Sequence, residues 1–152
     1  MAADTPRSTA RVIGRSIHPI LAPVPAASFL GALLTDIAYG RTADILWADF
    51  SDWLVTFGLV FLALVLIASA AELIVDPRVR GLPRAWLHIA GNVLALALGL
   101  FDEFVHTRDA YGQIPLGLVL SLLTFLVLLA AGWAGWDMVP RERELFDPER
   151  LS

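Results

Sequence analysis

The sequence of 152 residues contains no cysteine, which excludes disulfide bonds, iron–sulfur clusters and thiolate metal sites. Charged residues make up only 17% of the chain, against about 25% in ordinary domains, and the formal net charge is −4. Nucleic acid requires a basic surface, so we do not expect it as a partner. The sequence also lacks a Gly-rich phosphate loop, a metalloprotease histidine pair and a serine with a histidine at suitable depth. It therefore indicates no enzyme active site.

The residues that are present form four long apolar runs. Hydrophobic residues make up 57% of the chain and the mean hydropathy is +0.69, while charged residues crowd into the ends and the connections. A run of about 20 apolar residues is long enough to cross a bilayer as a helix. We therefore predict an all-α integral membrane protein, an up-down four-helix bundle with short connections. Its spans are expected at about 17–39, 53–75, 86–104 and 114–136.

These spans form one transmembrane domain over residues 17–139, between polar tails at 1–16 and 140–152. The first run follows three arginines, as in a secretory signal. It is longer than the apolar core of a signal, roughly 7 to 15 residues, so we expect it to be retained. Arginines are concentrated in the N-terminal tail and the second connection, and acidic residues in the first and third. The positive-inside rule then places both termini and the second connection in the cytoplasm.

The first and third runs share a layout, because each opens with a histidine and ends near an aspartate. The pairs are His18 with Asp36, and His88 with Asp102. The second and fourth runs also resemble each other, since each carries Gly-Leu-Val near its start, Ala-Ala later and Pro-Arg after its end. Two interpretations remain open here, namely duplication of a helical hairpin and chance similarity between alanine-rich membrane segments.

Small and polar residues of the first and third runs recur at steps of three and four, which places them on one face of each helix. Ionisable groups inside membranes almost always face the protein interior. Both helices run outward, so their histidines should lie near the cytoplasmic side and their aspartates near the outer side. The stripes are His18, Ala22, Pro25, Phe29, Ala32 and Asp36 in the first run, and His88, Asn92, Ala95, Gly99, Asp102 and His106 in the third.

This arrangement predicts two polar clusters separated by an apolar middle. The second span runs inward, so its late glutamate should reach the depth of the two histidines. The inner cluster is expected to contain His18, Glu72 and His88. The outer cluster is expected to contain Asp36, Asp102, Glu103 and His106, with Asp52 at its edge.

The start of the first run is rich in proline. Pro25 has no N–H to donate to the carbonyl of Leu21, so we expect irregular backbone and a wet cavity beside the inner cluster. The His-Pro-x-Leu-x-x-x-Pro opening at His18, the terminal Asp36, and a third run that begins with His88 resemble the predicted bacterial membrane proteins that share domain of unknown function 2231. The resemblance covers most of the chain. It implies a four-helix inner-membrane protein and an important His18, and it implies no defined activity.

One hypothesis is that His18 and His88 ligate a b-type haem between the first and third spans. Two neutral imidazoles from facing helices can supply both axial ligands, and bundle cores commonly hold cofactors. Arg15 and Arg84 precede the histidines by about one turn and would pair with the haem propionates, unless they serve only the positive-inside rule. Asn92 completes the candidate site. Such a module would pass electrons from a membrane or periplasmic redox partner to quinone. A hydrogen-bonded structural pair and another metal are the open alternatives for the two histidines.

A second hypothesis is transport. The inner and outer clusters would be the two ends of a proton or cation pathway, because carboxylates and imidazoles relay protons. The middle offers few polar groups, so a conducting path would need water there or assembly into a homo-oligomer. These groups belong to Thr56, Asn92, Ser121 and Thr124.

A third hypothesis is that the chain is an accessory or anchor subunit, in contact with lipid and with another membrane protein. Its polar residues would then serve only to set the register of the helices. Asp36 and Asp102 would cap helix ends or pair with Arg41 and Arg108 at the solvated surface, where ion pairs contribute little stability.

Overall fold

The computed structural model describes residues 20–108 and 113–136, which are helical apart from short connections. Four long helices and one single-turn helix lie within these ranges. They are α1 (Pro23–Thr42), α2 (Ile45–Val75), α3 (Pro77–Arg80), α4 (Pro83–His106) and α5 (Leu116–Trp136). The prediction of an all-α protein is confirmed. The predicted tails at 1–16 and 140–152 lie outside the described residues.

The start of α1 lies at Pro23, six residues after the predicted start of the first span. Pro23 and Pro25 fall in its first turn, where helix N–H groups have no partner and a proline sacrifices no hydrogen bond. The irregular backbone expected around Pro25 is found just before this helix, because residues 20 and 21 are helical and Ala22 forms a turn between them and Pro23. The helix ends where Ala43 adopts a left-handed conformation, with φ 54°, and donates its N–H to Tyr39 O at 2.8 Å.

Helix α2 begins eight residues before its predicted start, because Asp44 caps it. The Oδ1 atom of Asp44 accepts a hydrogen bond from the backbone N–H of Leu46 at 3.1 Å. Asp49 and Asp52, predicted to lie in the first connection, therefore lie within the helix. Only two residues remain between α1 and α2, so the two helices pack as antiparallel neighbours.

The arginine-rich connection after α2 is tied to the ends of the helices it joins. Asp76 Oδ1 accepts a hydrogen bond from Arg78 N at 3.0 Å and caps α3. The guanidinium of Arg80 donates to Leu73 O, from Nε at 3.2 Å and from Nη2 at 3.0 Å, which satisfies a carbonyl at the C-terminus of α2. Trp86 Nε1 donates to Arg80 O at 2.9 Å and ties the connection to α4.

The long helices pack in a closed order, since α1 and α4 each contact both α2 and α5. Within the described residues, three helices are long and apolar enough to cross a membrane: α2, α4 and residues 116–135 of α5. Three of the four predicted spans thus have a helix of the required length and composition.

The distribution of polarity is the reverse of that in a soluble protein. Large apolar side chains point outward, among them Ile67, Phe104 and Trp133, which are 66%, 68% and 77% exposed. Carboxylates are buried instead, since Asp36 and Asp102 are both 0% exposed. Soluble proteins almost never bury such groups while exposing continuous apolar surface. This arrangement fits a lipid environment, where the apolar surface needs no water-excluding cover.

A cluster of buried apolar side chains fills the middle of the protein, as the sequence predicted. Along α4 it lies between His88 and Asp102, because Ala95 is about two turns from each. The ring of Phe29 fits against α4 because residue 99 is glycine, whose Cβ would lie 2.7 Å from Phe29 Cζ. The cluster contains Phe29, Ala32, Val55, Leu59, Leu62, Ala95 and Leu128.

Candidate functional site

Buried polar side chains from all four long helices meet around Asp36, at one end of the apolar core. We call this group the Asp–His cluster. Each of its members is at most 3% exposed. They are Asp36 of α1, Ser51 of α2, Asp102 and His106 of α4, Gln113 of the following connection, and Ser121 of α5.

Asp36 accepts hydrogen bonds from three other segments. Its Oδ1 atom accepts from Ser51 Oγ at 2.5 Å and from Gln113 Nε2 at 3.0 Å, and its Oδ2 atom accepts from Ser121 Oγ at 3.1 Å. The two-residue connection between α1 and α2 brings Ser51 beside Asp36, and Ser51 Oγ also lies 3.2 Å from Ala32 O. A buried carboxylate needs such partners, because burying it alone is very unfavourable.

The imidazole of His106 lies between the carboxylates of Asp36 and Asp102. Its Nδ1 atom is 2.9 Å from Asp102 O and 3.1 Å from Asp102 Oδ1. The backbone carbonyl oxygen can only accept, so Nδ1 carries a hydrogen and donates to it. Its Nε2 atom is 3.0 Å from Asp36 Oδ1 and 3.1 Å from Ser51 Oγ. Asp102 and His106 share this face of α4 because they are one turn apart.

The hydroxyl of Ser121 forms a second bridge between the same two carboxylates. Its Oγ atom lies 2.7 Å from Asp102 Oδ2 and 3.1 Å from Asp36 Oδ2. Helix α5 can approach this closely because residue 117 is glycine, whose Cβ would lie 2.8 Å from His106 Cε1. Helices α1, α4 and α5 therefore meet through one hydroxyl and one imidazole.

Two further carboxylates lie at the edge of the Asp–His cluster. Glu103 is half-buried and its Oε1 atom accepts a hydrogen bond from Thr56 Oγ1 at 2.8 Å, while Asp52 is half-buried on α2. Within the described parts of the chain, one buried oxygen of each of Asp52, Asp102 and Glu103 has no hydrogen-bond partner. Among the described residues, these three carboxylate oxygens therefore lack a donor, and added hydrogens would satisfy them.

The predicted inner cluster is described only in part. His18 and Arg15 lie outside the described residues, whereas Glu72 is half-buried near the end of α2 and Arg84 is exposed at the start of α4. Of the ranges that the structure describes, none contains three or more histidine or acidic side chains grouped to hold a metal ion.

His88 is buried between α4 and α5. Its Nδ1 atom lies 2.8 Å from Ala131 O, which can only accept, so Nδ1 donates. Asn92 Nδ2 donates to His88 O at 2.8 Å and lies 3.2 Å from His88 Nε2. The ring packs against α5 where residue 135 is glycine, whose Cβ would lie 2.9 Å from Nδ1. In this arrangement His88 and Asn92 join α4 to α5.

A family model described as "Predicted membrane protein (DUF2231)" matches residues 14–144, which is most of the chain. The chain belongs to this family. The matched region of this DUF2231 protein contains all five helices and every member of the Asp–His cluster. Neither the curated proteins nor the solved structures contain a match.

The structure brings together three residues that spacing assigned to the outer cluster of this DUF2231 protein, namely Asp36, Asp102 and His106. Both stripes face inward wherever they are described, except that Ala22 is half-buried. Glu103 instead contacts α2 at the edge of the cluster. The alternative of solvated aspartates is wrong, because Asp36 and Asp102 are fully buried and bonded within the protein.

Three members of the Asp–His cluster were not predicted to belong to it. Ser121 was expected in the apolar middle, but it lies at the depth of the aspartates. Ser51 shares the buried face of α2 with Val55 and Leu62, so helical spacing would have found it had the start of α2 been known. Gln113 lies in a connection, where no periodic pattern marks a buried residue.

Proposed function

We propose that this protein conducts protons or cations across a bacterial inner membrane, and that the Asp–His cluster is its proton-binding site. All four long helices would cross the membrane with both termini in the cytoplasm. Helix α1 has 20 residues, long enough to span roughly 30 Å, and it exposes Leu30, Leu34 and Ile37 on the face opposite Asp36. The arginine-rich connection after α2 would lie on the cytoplasmic side.

The double contact of Ser121 is the observation that carries this proposal. A serine hydroxyl has one hydrogen, so it can donate to only one of the two carboxylates it touches. Both contacts are hydrogen bonds at the same time only if the other carboxyl group is protonated and donates to Ser121 Oγ. We infer that Asp36 and Asp102 share one proton through this hydroxyl.

The charge of His106 is consistent with the same proton count. An imidazolium would donate from Nε2 to Asp36 Oδ1 and from Nδ1 to the backbone carbonyl of Asp102, with Asp102 Oδ1 3.1 Å from the same Nδ1 atom. One imidazolium and one shared proton make the cluster of two carboxyls and one imidazole neutral. A neutral, fully hydrogen-bonded group is the arrangement that an apolar interior tolerates best. Release of the shared proton would leave the cluster with a net charge of about −1. Uptake and release of this proton therefore change the net charge of a buried site.

The apolar core lies in the path that a proton would have to follow from the Asp–His cluster to the other end of the protein. Thr124 lies one turn along α5 from Ser121, is 0% exposed, and its Oγ1 atom has no hydrogen-bond partner among the residues described. Beyond it lies the core around Phe29, Leu62 and Leu128. In this proposal the structure is a closed state, and the core prevents leakage until it is hydrated.

The proton is tested by infrared spectroscopy of the purified protein in lipid. We expect the carbonyl stretching band of a protonated carboxylic acid near neutral pH, which disappears at a higher pH as the shared proton leaves. Asp102→Asn should remove this band, while Asp49→Asn, an exposed residue of α2, should leave it unchanged. A folded protein with no such band at any pH would contradict a protonated cluster.

Transport is tested separately in liposomes that contain a pH-sensitive dye. If the proton flux through the native protein equals the flux through Asp36→Asn, conduction is contradicted.

We propose haem ligation by His18 and His88 as a second candidate function, because one observation favours it. The hydrogen bond from His88 Nδ1 to Ala131 O leaves Nε2 as the nitrogen with the lone pair. Backbone carbonyls commonly hold metal-ligating histidines in this way. Asn92 now lies 3.2 Å from that Nε2 atom and would have to move aside on ligation. Electrons would then pass to quinone from a partner subunit.

The haem hypothesis has a direct spectroscopic test. Protein expressed with adequate haem should show a Soret band and a shifted visible spectrum on reduction. His18→Ala and His88→Ala should each abolish the band, and His106→Ala should retain it because His106 lies in the separate Asp–His cluster. Folded protein without a Soret band would rule the haem out and leave His88 as a tie between α4 and α5.

A further inference from the structure

Oxygen atoms surround the imidazole of His106 on two sides. Asp102 O and Asp102 Oδ1 lie 2.9 Å and 3.1 Å from its Nδ1 atom. Asp36 Oδ1 and Ser51 Oγ lie 3.0 Å and 3.1 Å from its Nε2 atom. Hard metal cations bind to carboxylate, carbonyl and water oxygens. The ring therefore lies among the oxygens that such a cation would use, between two carboxylates whose charge the cation would neutralise.

The ring of His106 is tightly packed in this place. A Cβ on Gly117 would lie 2.8 Å from its Cε1 atom and 3.3 Å from its Nδ1 atom, so the ring fills the space that this glycine leaves on α5. The same Cβ would lie 3.3 Å from Gln113 Cγ, which packs beside the ring. His106 is only 3% exposed. A cation could therefore reach the oxygens around the two nitrogens only if the ring moved out.

The other contacts of Asp36 also favour a proton over a metal ion. Gln113 Nε2 donates to Asp36 Oδ1 at 3.0 Å, so a further N–H group points at this carboxylate and would repel an approaching cation. The charge count leads to the same conclusion. With one imidazolium and one shared proton the Asp–His cluster is neutral, so an added metal ion would leave an uncompensated positive charge in an apolar interior, which is strongly unfavourable.

We propose that His106 makes the Asp–His cluster selective for protons over sodium and potassium ions, because its imidazolium occupies the place that a metal ion would need. The proposal rests on the proton-binding function proposed above and narrows the substrate to protons. A proton needs only one lone pair on a carboxylate oxygen, whereas a metal ion needs a shell of oxygens. Without the ring, Asp36 and Asp102 would face a cavity with a net negative charge. Removal of the ring is therefore expected to create a sodium site.

Infrared spectroscopy of the native protein tests the selectivity without any substitution. The carbonyl band of the shared carboxylic acid is followed against pH in sodium chloride, potassium chloride or choline chloride of equal concentration. We expect the band to disappear at the same pH in all three salts. Its loss at a lower pH in sodium or potassium would overturn the selectivity alone, because a metal ion would then be replacing the shared proton. Absence of the band in every salt would overturn proton binding as well.

The sodium site expected on removal of the ring is tested by unfolding in mild detergent. Relative to choline, sodium at about ten times its dissociation constant should lower the unfolding equilibrium constant of His106→Ala about tenfold and leave that of the native protein unchanged. The double variant His106→Ala, Asp36→Asn is the matched control, and it should lose the effect because one of the two carboxylates is gone. No effect of sodium on His106→Ala would overturn the proposal. So would equal stabilisation of the native protein, which would place sodium at the edge of the cluster, beside Asp52 and Glu103.

Discussion

Asp36→Ala is expected to lower the free energy of unfolding by about 3–5 kcal/mol, the usual penalty for breaking a buried ionic group by removing one partner. The substitution removes the acceptor of Gln113 and one of the two acceptors near each of Ser51 and Ser121, and it leaves His106 beside a cavity. Each buried donor left without a partner costs about 1–3 kcal/mol. The measurement is unfolding in mild detergent followed by circular dichroism.

Two further variants distinguish the loss of hydrogen bonds within the Asp–His cluster from a general effect of removing a carboxylate. Asp49→Ala removes an exposed carboxylate from α2 and should change the stability by less than about 0.5 kcal/mol. Asp36→Asn keeps the shape of the side chain and one acceptor but turns a donor toward the hydroxyls. Its loss of unfolding free energy should therefore lie between the losses of the other two variants. If Asp36→Ala costs no more than Asp49→Ala, the Asp–His cluster does not hold the helices together.

The inward-facing stripes could be predicted because helical geometry and the bilayer impose the same constraint. Residues three and four apart lie on one face, and a carboxylate that faces lipid is strongly unfavourable. Asp36, Asp102 and His106 therefore had to point inward. Their shared depth follows from the two parallel helices that carry them. The apolar middle is predicted in the same way, since Phe29 and Ala95 occupy the same stripes between the polar ends.

The boundaries of the helices and the partners across them could not be predicted in the same way. The start of α2 depends on a single cap at Asp44. Because of this cap, residues that looked like a polar connection in the sequence form two additional turns of helix. This shift is what brings Ser51 onto the buried face. Gln113 reaches Asp36 from 77 positions away, and no local pattern reports such a contact. The two-residue connection at Ala43 likewise requires a left-handed residue that the sequence does not mark with glycine.

Lipid supplies little hydrophobic force between membrane helices, so close packing and polar contacts must hold this protein together. The polar contacts at the two ends of the protein hold the helices together in different ways. The Asp–His cluster joins all four long helices through charged and hydroxyl groups. At the other end, the hydrogen bond from His88 to Ala131 O joins α4 to α5, and it depends on a close approach of the two helices at glycine positions.

Gly91→Leu is therefore expected to lower the free energy of unfolding by about 2–4 kcal/mol. A Cβ at this position would lie 2.8 Å from Ala131 Cβ, which is attached directly to the backbone of α5 and cannot rotate away. Overpacking of this kind typically costs about 1–3 kcal/mol. Separating the helices also lengthens the hydrogen bond from His88 to Ala131 O, which is worth about 1 kcal/mol.

Gly132→Leu is the matched control, because Gly132 lies on α5 next to Ala131 but has nothing within 4 Å of its Cβ position. Replacing an exposed helical glycine gains up to about 1 kcal/mol of helix propensity, so this variant should be unchanged or slightly more stable. Unfolding in the same detergent compares the two substitutions directly. Equal losses in both would mean that any large residue near this end is harmful, and the close approach of α4 and α5 would then not be the cause. A loss confined to Gly91→Leu would show that the contact between the two helices depends on the absence of a side chain at that position.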